Sequence, residues 1–242
     1  MRCLLGGLAL WQTENLYAKD ALPMSLNQRT SYIVAIIMNI ALVISVFVAL
    51  ALSYQVRGMA MFTYYTQLSN LYGLIACLVC AICEIRYLMH GTELSRGVKL
   101  LKYSATCCLA MTFFVVLTIL APMVSASQGN GYYTLFLTGV LPVTHLVSPL
   151  LAFFSYLLFE CGRNMTLRES MVGVYPTIAY AAVAYPCNIL RIWDGPYPFL
   201  KVLDMPLWMS ILFFILLLVM SLAICQGIRL LAKKLSRNSA PQ

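Results

Sequence analysis

Residues 33–52, IVAIIMNIALVISVFVALAL, form a twenty-residue apolar run interrupted only by Asn39 and Ser45. Coiled as a helix at 1.5 Å per residue, such a run is about 30 Å long, the thickness of a bilayer's hydrocarbon core. Working outward, further apolar runs cover residues 64–85, 103–124, a stretch ending near Phe159, 171–190 and 207–228. None alternates with a period of two, which excludes a transmembrane barrel. Hydrophobic residues make up 62% of the 242 and charged ones 10%. Soluble domains carry about a quarter charged residues, so this chain has too few to cover its apolar surface in water. The sequence therefore predicts an all-α, polytopic membrane protein, a bundle of six transmembrane helices forming one domain over residues 31–234.

Lysines and arginines give the orientation, because they collect on the cytoplasmic side. Arg2, Lys19 and Arg29 precede the first run. Arg86, Arg96, Lys99 and Lys102 lie between the second and third, Arg163 and Arg168 between the fourth and fifth, and Arg229, Lys233, Lys234 and Arg237 at the end. The opposite side keeps Arg57, Arg191 and Lys201. Both termini are accordingly expected in the cytoplasm, in the cell membrane. Residues 1–30 read as an interfacial or disordered extension, with Met24 as a natural start, and residues 235–242 as a polar tail. The net charge of +8 is absorbed by this topology, and no basic-aromatic ribbon suggests nucleic acid. Most cysteines fall inside apolar runs, where cysteine behaves as a small hydrophobe. Cys77-x-x-Cys80-x-x-Cys83 lacks a second ligand group, so neither a metal nor another cofactor is expected.

Polar groups inside a bilayer are expensive, which makes them candidates for function. Thr66, Ser69, Asn70 and Gly73 share one helix face at the outer mouth of the second run. Helix–helix packing alone accounts for such residues equally well. His145 is the one histidine inside an expected span. It suits a general base, or a neutral ring bonded to a neighbouring helix. Pro142, favoured in a helix's first turn, and Gly139 before it suggest that the fourth span begins near Pro142, with 133–141 as a separate outer turn. That start brings His145 near the depth of Thr66. The loop 188–200 holds Trp193, Asp194, Tyr197 and Phe199 among turn-forming Gly195, Pro196 and Pro198. It reads as an interfacial cap or as a lid over a cavity, with Asp194 and Arg191 as possible partners.

Tyr64-Tyr65-Thr66-x-x-Ser69-Asn70-Leu71, His145-x-x-x-Pro149-Leu150, Tyr156-Leu157-Leu158-Phe159, Tyr175-Pro176-x-x-x-Tyr180 and Gly195-Pro196-Tyr197-Pro198-Phe199-Leu200 follow one another in order. This ordered set resembles the bacterial branch of the androgen-induced-gene-like six-helix membrane proteins. Animal members of that superfamily hydrolyse fatty acid esters of hydroxy fatty acids with a threonine and a histidine. The resemblance implies Thr66 as nucleophile and His145 as base. Here Thr144 replaces the asparagine that precedes the histidine in the animal proteins. Oxyanion donors would be sought among Ser69, Asn70 and Asn188. The sequence thus leads to a lipid-ester hydrolase. Its rival is a non-enzymatic membrane protein that binds lipid or a partner, and a small-molecule transporter comes third. Transport is disfavoured because Glu84 and Glu160 are expected at helix ends, outside the membrane interior.

Overall fold

The structure, a computed structural model, describes residues 26–161 and 165–238. The expectations for the extension up to residue 25, for Arg163 and for the last four residues lie outside that range. All secondary structure among the described residues is helical. Helix α1 spans Leu26–Arg57 and passes through a 3-10 turn, Gly58–Thr63, into α2, Tyr65–His90. Then come α3 (Arg96–Val115), α4 (Ala121–Gln128), α5 (Gly131–Leu137), α6 (Ser148–Ser155), α7 (Leu167–Ser170), α8 (Tyr175–Ile189) and α9 (Leu207–Asn238).

Among the described residues, five helical stretches are long and apolar enough to cross a membrane: Gln28–Thr63, Tyr65–His90, Arg96–Gln128, Val143–Glu160 and Leu207–Leu235. The expected run 171–190 differs. It folds as a 3-10 turn, Met171–Gly173, followed by the 15-residue α8, which carries Pro186 inside it. A helix of that length reaches about 22 Å, short of a full hydrocarbon core. The fourth span does begin beside Pro142. Gly139, at φ +57°, turns the chain between α5 and the span, a left-handed conformation that glycine adopts without strain.

Among the described residues the third and fourth spans contain three π-helical turns, and two of them lead into a proline. Val116–Leu120 precedes Pro122, and Val143–Val147 precedes Pro149. Proline has no N–H to offer the carbonyl four residues back, and its ring crowds that carbonyl. The ladder widens instead: Ala121 N–H donates to the Val116 carbonyl, and Ser148 N–H to that of Val143. His145 sits in the middle of the second turn.

Helix α3 is the hub, buried continuously from residue 102 to 112. Its Ser104, Ala105, Thr106, Cys107, Cys108 and Ala110 are small, so neighbouring backbones approach closely without a hydrophobic drive from water. Leu42 and Val46 of α1, Cys77 of α2, Leu109 of α3 and Ala152 of α6 form one core cluster. Gly173 marks a close approach of three segments: a Cβ there would lie 2.6 Å from Cys225 Sγ and 2.8 Å from Cys107 Sγ. Ile37, Ile44 and Phe47 of α1, and Leu212, Ile215 and Val219 of α9, point outward. On a membrane protein that surface is the lipid-facing one.

The two ends of the bundle hold different loops. At one end Arg96 meets Glu169 at 2.6 Å. At the other, Tyr180 donates to the Thr63 carbonyl at 2.8 Å, tying α8 to the α1–α2 turn. Two sequence expectations are corrected. Lys102, counted among loop residues that set topology, is fully buried and paired with Glu160 at 3.0 Å. Asp194 pairs with Lys201 at 2.8 Å rather than with Arg191, which turns the chain in a left-handed conformation at the end of α8.

Candidate functional site

Thr66 lies in the first turn of α2, where backbone N–H groups have no partner inside the helix. The Tyr197 hydroxyl fills that need from the loop after α8. It accepts from Thr66 N at 3.1 Å and lies 3.2 Å from Thr66 Oγ1. Burial pushes the Tyr197 phenol up from its usual pKa, which favours the protonated hydroxyl. Its ring stacks on Phe199 with centroids 5.2 Å apart. The loop therefore covers Thr66.

Ser69 and Asn70, one turn on from Thr66, are both engaged. Ser69 Oγ donates to the Thr66 carbonyl at 3.0 Å and also meets Thr112 Oγ1 at 2.7 Å. Asn70 Nδ2 donates to the Thr66 carbonyl at 2.8 Å and to the Thr144 carbonyl at 3.0 Å, while Oδ1 accepts from Ser148. A side-chain amide has two N–H donors, and both are used. In this conformation Asn70 is thus a clamp between α2 and the fourth span rather than a free oxyanion donor. Asn188 lies elsewhere: its Oδ1 accepts from Val202 N at 2.9 Å and braces the outer loop.

His145 is buried beside the clamp. Its Nδ1 lies 2.7 Å from the Leu135 carbonyl, and its ring meets Phe136 edge to face. A neutral imidazole bonded in this way carries its proton on Nδ1, which leaves Nε2 an acceptor. Asn70 brings the backbones of Thr66 and Thr144 together, one residue from the histidine. The side chains of Thr66 and His145 nonetheless take different partners.

An apolar cavity of about 60 Å³ runs between α2, α3, α8 and α9. Thr66, Tyr197 and Phe199 line it, and His145 does not. Its wall includes Ile178 of α8 and Phe214 of α9, both of which also reach the lipid-facing surface. The outer loop builds a second, polar pocket of about 330 Å³ from Asn188, Arg191, Trp193, Asp194, Lys201 and Asp204. Leu200 lines the first pocket and its neighbour in the chain, Lys201, the second. Trp193, in the second pocket, is held to α8 by donating from Nε1 to the Ala184 carbonyl at 3.3 Å.

The chain matches no family model, no curated protein and no solved structure.

What the site can do follows from its own chemistry. A narrow apolar slot open toward lipid, closed at one end by hydroxyls and accompanied by a charged pocket on the outer loop, suits an amphiphile better than a polar solute. Sequence reasoning placed Tyr197 in a lid but not on Thr66. Helical spacing links residues on one element and says nothing about a loop more than a hundred residues away. It also missed the buried group at the other end of the bundle. There Cys80, Glu84 and Glu160 each place a potential ligand atom within 4.8 Å of the others.

Proposed function

We propose that this is a cell-membrane protein with six membrane-embedded helical segments, both termini cytoplasmic, that binds the acyl chain of a lipid in the cavity beside Thr66. The short α8 is the sixth segment. The supporting observation is the cavity itself, which joins a lipid-exposed flank at Ile178 and Phe214 to the Thr66–Tyr197 hydroxyls. The outer-loop pocket, with Arg191, Lys201, Asp194 and Asp204, provides charge for a headgroup. The test is photocrosslinking in nanodiscs with a phospholipid carrying a diazirine on its acyl chain. Label is expected on α8 and α9 peptides facing the cavity, and Ala181→Trp should abolish it. Label spread evenly over the outer faces of α1 and α9, and insensitive to that change, would sink the proposal.

One observation favours a second reading, lipid-ester hydrolysis, which the resemblance to threonine-type hydrolases implies. The Leu135 carbonyl holds His145 as a tautomer whose Nε2 is free to take a proton. For Thr66 to attack an ester, the Tyr197 loop must withdraw so that the hydroxyl turns toward the imidazole. The pair would then follow the nucleophile–base pattern of acyl transfer. Purified protein should release fatty acid from a hydroxy fatty acid ester, and Thr66→Ala and His145→Ala should each reduce the rate at least about a hundredfold. Equal turnover by all three proteins removes the pair.

A further inference from the structure

At the end of the bundle opposite Thr66, four helical segments converge on a set of buried ionisable groups that the lipid cavity does not use. Lys102 of α3 ion-pairs with Glu160 Oε2 at 3.0 Å. It also donates to Asn39 Oδ1 and to Ser155 Oγ, and lies 3.3 Å from Cys77 Sγ. Asn39 of α1 spends its amide on two carboxylates: Nδ2 reaches Glu84 Oε2 at 3.2 Å and Glu160 Oε1 at 2.6 Å. Ser155 Oγ donates to Glu160 Oε2 at 2.7 Å. Glu84 is fully buried, and its Oε1 has no hydrogen-bond partner.

The charges do not balance as drawn. Two carboxylates face one ammonium, which leaves one negative charge buried inside the bundle, where an unpaired charge is costly. The other titratable groups around Glu84 and Glu160 are Cys77 and Cys80 of α2, Tyr32 of α1, and Tyr156 and Cys161 of the fourth span. Thiols and phenols are neutral or negative in every protonation state, so none supplies a positive charge.

We infer that this cluster is a proton-binding site, in which one proton sits on Glu84 beside the ionised Glu160. A proton on Glu84 Oε1 makes the group neutral, so the buried oxygen without a partner no longer carries charge. The cluster's third potential metal ligand, Cys80, does not favour a divalent cation instead. An ion there would sit among groups that already hold the Lys102 ammonium 3.0 Å from Glu160. The site joins α1, α2, α3 and the fourth span, so its proton governs how that end of the bundle packs.

Infrared spectroscopy of the protein in nanodiscs, in H2O and D2O at neutral pH, tests this. The expected result is a buried carboxylic-acid C=O band that shifts in D2O and is absent from Glu84→Gln. Because glutamine mimics a protonated glutamate, Glu84→Gln should keep the wild-type melting temperature, whereas Lys102→Met should lower it. Three results would overturn the inference: no such band in the wild type, a melting temperature for Glu84→Gln as low as that for Lys102→Met, or one Zn2+ bound per chain by calorimetry and lost in Glu84→Gln.

Discussion

Removing the phenol oxygen of Tyr197 would test how the outer loop is held over Thr66. Tyr197→Phe keeps the stack on Phe199 but strands the Thr66 N–H and hydroxyl in a buried place. Stranded buried donors cost about 1–3 kcal/mol each, so the variant should unfold at lower denaturant. If the loop is also the lid, the same change should speed acyl-chain labelling. Asn70→Ala should cost more, because one residue satisfies two carbonyls and the Ser148 hydroxyl across two helices. About 2–4 kcal/mol is expected, measured by unfolding in mixed micelles. An effect below about 0.5 kcal/mol would show that the clamp is not made. Lys102→Met, which leaves Glu160 buried without its cation, should cost about 3–5 kcal/mol.

Among the helices, five of the six apolar runs were legible in the sequence because their length is set by the bilayer, a constraint every residue in a span feels. The start of the fourth span was legible too, since Gly139 and Pro142 act on their own backbone. Lys102 was not: a lysine six residues into a helix looks like a snorkelling or loop cation unless its partner is known. That partner, Glu160, lies on another span. Close packing at Gly173 was hidden for the same reason, and it makes a prediction. Gly173→Ala would place a methyl 2.6 Å from Cys225 Sγ and 2.8 Å from Cys107 Sγ, so α8's entry must move from α3 and α9. Overpacking of this kind costs about 1–3 kcal/mol. The α7 turn carries a pH signature. Hydrogen bonds from Arg96, with a capping box on Thr166, lower Glu169 to about 2. A lowered carboxylate stabilises the fold above its unfolded value, near 4.5, and loses that contribution as pH falls toward 2. Protection of the α7 amides against hydrogen exchange should therefore be unchanged at pH 5, fall below about pH 4, and be insensitive to pH in Glu169→Gln.

For the whole molecule, the structure and the charge pattern bear on topology in independent ways. The structure sorts the loops into two sets by contact: the α2–α3 connection lies with α7, and the α1–α2 turn lies with the loop after α8. The sides proposed for those sets rest on the lysines and arginines, and Lys102's burial removes only one of the residues behind that proposal. The α8 helix is decisive. If it is embedded, six crossings bring both ends to the same face. If α8 lies flat, five crossings put Asn238 opposite α1's beginning. Single cysteines in a background lacking the native ones separate these outcomes. Placed at Ser127 and at Asp194, they should react with a membrane-impermeant maleimide added outside intact cells. At Glu93 and Lys234 they should react only after permeabilisation. Labelling of Lys234→Cys from outside, with Glu93→Cys still protected, would mean that α8 does not cross and that the proposed site sits beneath a surface helix.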